Sequence, residues 1–137
     1  MQRNTAPLLY EHETKLIQEA CYEVWREFGG AFKGKVVERA LGIALKSHGL
    51  NVQLQKRIPL YFKGEKVGEY VPDQVVNECI LLALKSKPFL TREDVRQAWL
   101  YLKGTNYKLI VLINFGTERL TFKRLVYDQA RNRRLAA

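Results

Sequence analysis

The chain has 137 residues, 47% of them apolar, enough for one domain with a buried core and too few for two ordinary ones. No apolar run approaches the roughly 18 residues of a membrane span, and Met1-Gln2-Arg3-Asn4 leads into no hydrophobic signal segment; a cytoplasmic protein with no membrane partner is expected. A formal net charge of +9 and a sequence pI of about 9.7 favour polyanionic partners, DNA or RNA, over solubility alone. The surplus is uneven, because residues 117–137 carry Arg119, Lys123, Arg124, Arg131, Arg133 and Arg134 against only Glu118 and Asp128. Such a tail would also suit an acidic protein partner. Cys21 and Cys79 fall inside apolar periodic stretches, which fits reduced core residues better than a disulfide or a metal site.

Residues 1–12 contain Pro7 and lack periodicity, so an extended lead-in is expected, followed by a domain over residues 13–128 and a basic tail over 129–137. From Glu13 the apolar set Leu16, Ile17, Ala20, Cys21, Val24, Trp25 and Phe28 forms a stripe of helical period, ended by Gly29-Gly30. A glycine pair before a second helix is also a place where a phosphate can be cradled. The pattern restarts with Val36, Val37, Ala40, Leu41, Ala44 and Leu45 and stops at Ser47-His48-Gly49, which predicts the second helix. His48 and His12 read as structural rather than catalytic.

From Asn51 the texture turns to alternation and β-branched or aromatic residues. One strand is predicted through Val52, Leu54 and Ile58-Pro59-Leu60-Tyr61-Phe62, a turn at Lys63-Gly64-Glu65-Lys66, and a second strand over Val67–Val76, edged or bulged at Pro72. Cys79–Leu84 reads as a strand buried on both faces. Thr91-Arg92-Glu93-Asp94 resembles a capping box opening a third helix to about Lys103, with Gly104 at its end. Lys108–Phe115 is a further buried strand, and strand, helix and buried strand in succession imply a parallel crossover. A last strand spans roughly Leu120 to Tyr127. The expected order is helix, helix, three strands, helix, strand, strand (ααβββαββ), an α/β domain with a mixed sheet flanked by helices.

Within that order, Pro72-Asp73, the hydrophobic strand ending Leu84-Lys85 and the helix carrying Gln97 resemble the PD-(D/E)XK nuclease superfamily, whose core is restriction-endonuclease-like. Tyr61-Phe62-Lys63-Gly64, Gly68-Glu69, Gln97-Ala98-Trp99-Leu100-Tyr101-Leu102-Lys103 and Leu112-Ile113-Asn114-Phe115-Gly116 are more narrowly similar to its GxxExxY branch, over about Glu13 to Tyr127. The resemblance implies Asp73 as the metal-binding aspartate, Lys85 as the catalytic lysine and Gln97 as the supporting glutamine. The glutamate of the Glu-x-Lys motif falls on Ala83. The motif that names the branch falls on Ala31–Val37, with Ala31 for its glycine, Gly34 for its glutamate and Val37 for its tyrosine. Both family glutamates are absent, and the site is expected to be catalytically weak or inactive.

Phosphodiester hydrolysis by this route needs Mg²⁺ or Mn²⁺ on hard oxygen ligands, with a lysine to orient water or stabilise charge. Here Asp73 would give a carboxylate and Leu84 its carbonyl, while Ala83 gives nothing. If the site is not intact, no cofactor is expected. Glu38, one turn after Gly34 on nearly the same helix face, is the candidate substitute carboxylate; Glu69 is another, at roughly 13 Å along an extended strand. A two-residue turn at Asn77-Glu78 would put Asp73 opposite Leu82 and away from Lys85, whereas an odd loop centred on Glu78 puts Asp73 opposite Ala83, on Lys85's face. The alternatives are an active Mg-dependent nuclease with a relocated carboxylate, Asp73 and Lys85 as a residual structural ion pair, and a non-catalytic protein-interaction module.

Overall fold

The apolar stripe of the first helix, α1 (Glu11–Phe28), buries Ile17, Ala20, Cys21 and Val24. Its partner α2 (Gly34–Ser47) buries Val37, Leu41, Ala44 and Leu45. The computed structural model describes residues 8–30, 32 and 34–127. Residues 1–7 of the expected lead-in, positions 31 and 33 of the branch motif and the basic tail over 129–137 lie outside the described residues.

The strands are β1 (Val52–Leu54), β2 (Ile58–Phe62), β3 (Glu65–Tyr70), β4 (Gln74–Val76) and β5 (Ile80–Lys85), then, after α3 (Arg92–Gly104), β6 (Leu109–Phe115) and β7 (Leu120–Val126). A five-stranded sheet has the order β1-β4-β5-β6-β7, and β2-β3 is a separate two-stranded ribbon. β5 and β6 run parallel and the other neighbouring strands of the sheet antiparallel. The expected mixed α/β architecture is the observed one, with one difference: each of the first two predicted strands is broken in two. Gln55, at φ 58, lies between β1 and β2, and Val71-Pro72-Asp73 separates β3 from β4. Proline has no amide to give a ladder, so the chain leaves the ribbon there and enters the main sheet.

The sheet divides the core. Ile80, Leu82, Val111, Ile113 and Phe115 pack with α1 and α2, while Val75, Leu81, Ile110 and Leu112 pack with Ala98 and Leu102 of α3 and with Ile58 and Tyr70 of the ribbon. All seven residues of β6 are buried, as expected of a strand covered on both faces. α3 carries the predicted capping box: the Thr91 side chain accepts from the Asp94 N–H, and the Asp94 carboxylate accepts from the Thr91 N–H. The helix includes Gly104 and ends at Thr105. Both cysteines are free thiols, and burial pushes Cys21 well above its ordinary range. Among the described residues, no helix is long and apolar enough to cross a membrane.

The glycine pair after α1 does structural work. Gly29 caps the helix at φ 68 and donates to the Trp25 carbonyl, and Gly30 lies against the backbone of Gly116. The Trp25 indole donates to that same Gly116 carbonyl at 3.0 Å. An added β-carbon at Gly30 would fall 2.2 Å from the Gly116 oxygen. Gly30→Ala is therefore expected to cost about 1–3 kcal/mol, the range of an overpacked core, in chemical denaturation. Gly34→Ala, where an added carbon meets nothing within 4 Å, should cost less than this.

Candidate active-site cleft

The turn from β4 to β5 fixes the geometry of the cleft. Asn77 and Glu78 both take left-handed φ values, 51° and 57°, a conformation asparagine tolerates well. Asn77 is held in it from two sides, its N–H donating to the Asn51 carbonyl and its side-chain oxygen accepting from the Asn51 N–H, each at 2.9 Å. The Cys79 N–H closes the turn on the Val76 carbonyl, so three residues lie between Val76 and its partner Ile80. Pairing then runs Val75↔Leu81 and Gln74↔Leu82, and continued one step it sets Asp73 opposite Ala83. This is the odd-loop register, and it turns Asp73, Ala83 and Lys85 toward α3.

Continued two steps, the register brings Pro72 to Leu84. Proline offers no N–H to the Leu84 carbonyl, and Asp73 Oδ2 takes the Leu84 N–H at 2.7 Å. A cleft of about 240 Å³ opens here, lined by Asp73, Ala83 and Lys85 from the sheet, by Asp94, Gln97 and Tyr101 from α3, and by Glu69 and Tyr70 from the ribbon. The rings of Tyr70 and Tyr101 stack at 3.9 Å. Burial, with the Asp73 charge beside it, pushes the Tyr70 phenol above its ordinary range.

Of the residues singled out in the sequence, Asp73, Lys85, Gln97 and Glu69 line the cleft, and Glu38 does not. Glu38 belongs to α2, which packs on the opposite face of the sheet. Its carboxylate lies 3.5 Å from the Gln55 amide, and its backbone oxygen accepts from the buried Gln74 side chain at 2.7 Å. Glu69 reaches the cleft because the chain breaks at Val71-Pro72-Asp73 and is not one extended strand from Glu69 to Asp73. Asp73 and Lys85 form no ion pair; among the described residues Lys85 meets no carboxylate within 4.0 Å.

The remaining carboxylates are neutralised. Lys66 (2.8 Å) and Arg57 (3.0 Å) bracket Glu69 and hold its carboxyl below the usual range. Lys87 lies 2.7 Å from Asp94 and, with the Thr91 N–H and hydroxyl, holds that carboxyl at about 2. Lys87 is itself fixed by the side chain of Asn114 on β6, which accepts from its N–H and donates to its carbonyl. The sequence reading missed Asp94, Tyr70 and Tyr101 as parts of the cleft, and Lys87 as the partner of Asp94. Asn114, the only polar residue in the otherwise apolar Leu109–Phe115 run, was a readable signal for a buried polar anchor.

These donors do not fit a divalent ion. Mg²⁺ requires octahedral oxygen ligation, and the cleft supplies one carboxylate not held by a cation, with one of its oxygens already taken by the Leu84 N–H. Among the described residues no three His, Cys, Asp or Glu side chains come together as a ligand group.

The comparisons with known proteins agree with the fold. Residues 11–125 match the PD-(D/E)XK nuclease superfamily. The fold is similar to that of an alkaline exonuclease (LHK-Exo) from Laribacter hongkongensis, at a TM-score of 0.50 and 11% sequence identity, over 96% of this chain and 77% of the exonuclease chain. At that identity the likeness is one of fold. No curated protein sequence matches the chain.

The Asp94 contacts give a pH dependence. An unfolded aspartate titrates near 3.9, and the folded carboxyl is held at about 2, so its stabilisation is complete above about pH 4 and is lost as the pH falls toward 2. Thermal melting across this window should show a smaller acid loss in Asp94→Asn than in the native protein.

Proposed function

The chain belongs to the PD-(D/E)XK nuclease superfamily, and from that premise we propose that its cleft holds the phosphodiester backbone of a nucleic acid without cutting it. Nucleases of this superfamily generally use divalent metals. The observation that carries the proposal is Lys85, a cation without a carboxylate partner among the described residues, beside Ala83 in a cleft whose donors do not suit such a metal. Three carboxylates (Glu69, Asp73, Asp94) are set against four cations (Lys85, Lys87, Arg57, Lys66) in or beside the cleft. That balance favours an anion directly. The Lys85 ammonium and the Gln97 amide donate to phosphate oxygens in this reading, and Asp73 keeps the Leu84 strand end in place.

The GxxExxY branch is our assignment within the superfamily. It is supported by the motif order around Tyr61–Gly64, Gln97–Lys103 and Leu112–Gly116, together with a degenerate naming motif. Association with DNA or RNA is supported by the formal net charge of +9, and it should weaken steeply as salt rises.

Ala83 is half-buried on the cleft wall between Asp73 and Lys85, so Ala83→Glu would place a second carboxylate beside Asp73. The variant is expected to gain saturable Mn²⁺ binding, followed by calorimetry, and metal-dependent DNA cleavage at least about tenfold above the native protein, a barrier change of roughly 1.4 kcal/mol. Cleavage by the native protein in Mg²⁺ that disappears in Asp73→Ala would contradict the proposal.

A further inference from the structure

α3 presents two faces to solvent-accessible hollows. Asp94, Gln97 and Tyr101 look into the cleft; Arg92, Val95, Arg96 and Trp99 line a separate, open groove of about 580 Å³ against Lys123 and Leu125 of β7. Its floor is apolar, with Val95, Trp99 and Leu125 half-buried and packed on the core beneath α3. Its rim is basic. Arg92 and Arg96 stand one helical turn apart, and Lys123, paired with Leu112 across β6 and β7, projects from the same sheet face as Leu125. All three cations are exposed, and among the described residues none has a carboxylate within 4.0 Å. At the start of α3 the Asp94 N–H is already taken by the Thr91 side chain, and the three cationic side chains supply the attraction for anions.

Three like charges around an apolar floor repel one another until a polyanion covers them. The ligand that matches both features carries regularly spaced anions joined to flat apolar groups. A single-stranded nucleic acid has that chemistry, since its phosphates meet the cations while a base stacks on an aromatic platform. A duplex offers only its phosphates, its bases being turned inward. We propose that the α3–β7 groove is a second nucleic-acid contact, seating an unpaired base against Trp99 and phosphates on Arg92, Arg96 and Lys123. The inference rests on the reading of the cleft as a phosphodiester site, with one strand engaging both sides of α3.

The test uses the full chain, a short single-stranded oligothymidylate and a duplex of the same length, followed by tryptophan fluorescence and by affinity against salt. Trp25 is tied to the Gly116 carbonyl and provides a constant background. Expected results are quenching by the single strand but not by the duplex, and loss of that quenching in Trp99→Phe. Combining Arg92→Ala, Arg96→Ala and Lys123→Ala should weaken binding at least about tenfold and reduce the slope of log K against log salt by about 2, from about 0.7 per lost phosphate contact. Lys85→Ala, in the cleft, should weaken binding yet leave the quenching in place. Binding that responds to Lys85→Ala, with unchanged slope in the triple variant and unchanged quenching in Trp99→Phe, would overturn the groove alone. No binding of either oligonucleotide would overturn the cleft reading and this one with it.

Discussion

Side chains alternate along a strand, so the number of residues in the turn between β4 and β5 decides which of them share the cleft. With two residues there, Asp73 would face α2 while Lys85 faced α3. The three-residue turn Asn77–Cys79, with Asn77 clamped on Asn51, puts both on the α3 side and Gln74 on the α2 side, where its amide is spent on the Glu38 carbonyl. The second constraint is Pro72. It ends the ladder just where Leu84 would need a partner, frees Asp73 to cap the Leu84 N–H, and sends the ribbon across to close the cleft with Glu69 and Tyr70. Ala83 sits at the meeting point of these constraints. Its methyl group stands where a carboxylate would lie beside Asp73.

Charge distribution follows from the same frame. The loop after β5 is pinned to β6 through Asn114, which carries Lys87 onto Asp94, and the ribbon folds Arg57 and Lys66 onto Glu69. Each pair takes a carboxylate out of metal chemistry. Exposed ion pairs contribute little to stability on their own; here their consequence is the sign of the local charge, since Glu69 carries two cations and, among the described residues, Lys85 has no carboxylate within 4.0 Å. In the proposed reading, a cleft of this composition would take a phosphate directly, without a metal ion to bridge it.

The helices and the buried strands were legible because their signals are local: a 3.6-residue stripe in α1 and α2, a capping box at Thr91–Asp94, continuous apolar runs in β5 and β6. The register was legible only as a choice between two turns, because left-handed backbone at Glu78 has no residue signature comparable to glycine. The breaks at Gln55 and Pro72 were underread: apolar residues recur at 52, 54, 58 and 60 across the first, and Pro72 was legible only as an edge or bulge within one strand. Glu38 shows the limit most plainly. Helical spacing places it one turn beyond Gly34, but not on either side of a sheet, and α2 packs on the face away from Lys85. Asp94 and Tyr101 enter the cleft, and Lys87 meets Asp94, through contacts between separate elements, which periodicity within one element does not encode.

The cleft lacks the ligands for a divalent ion, and calorimetric titration of Mg²⁺ and Mn²⁺ into the native protein tests this most directly. No saturable heat is expected at millimolar metal. A saturable isotherm that vanishes in Asp73→Ala would contradict it, and would mean that a metal is held without a carboxylate at position 83.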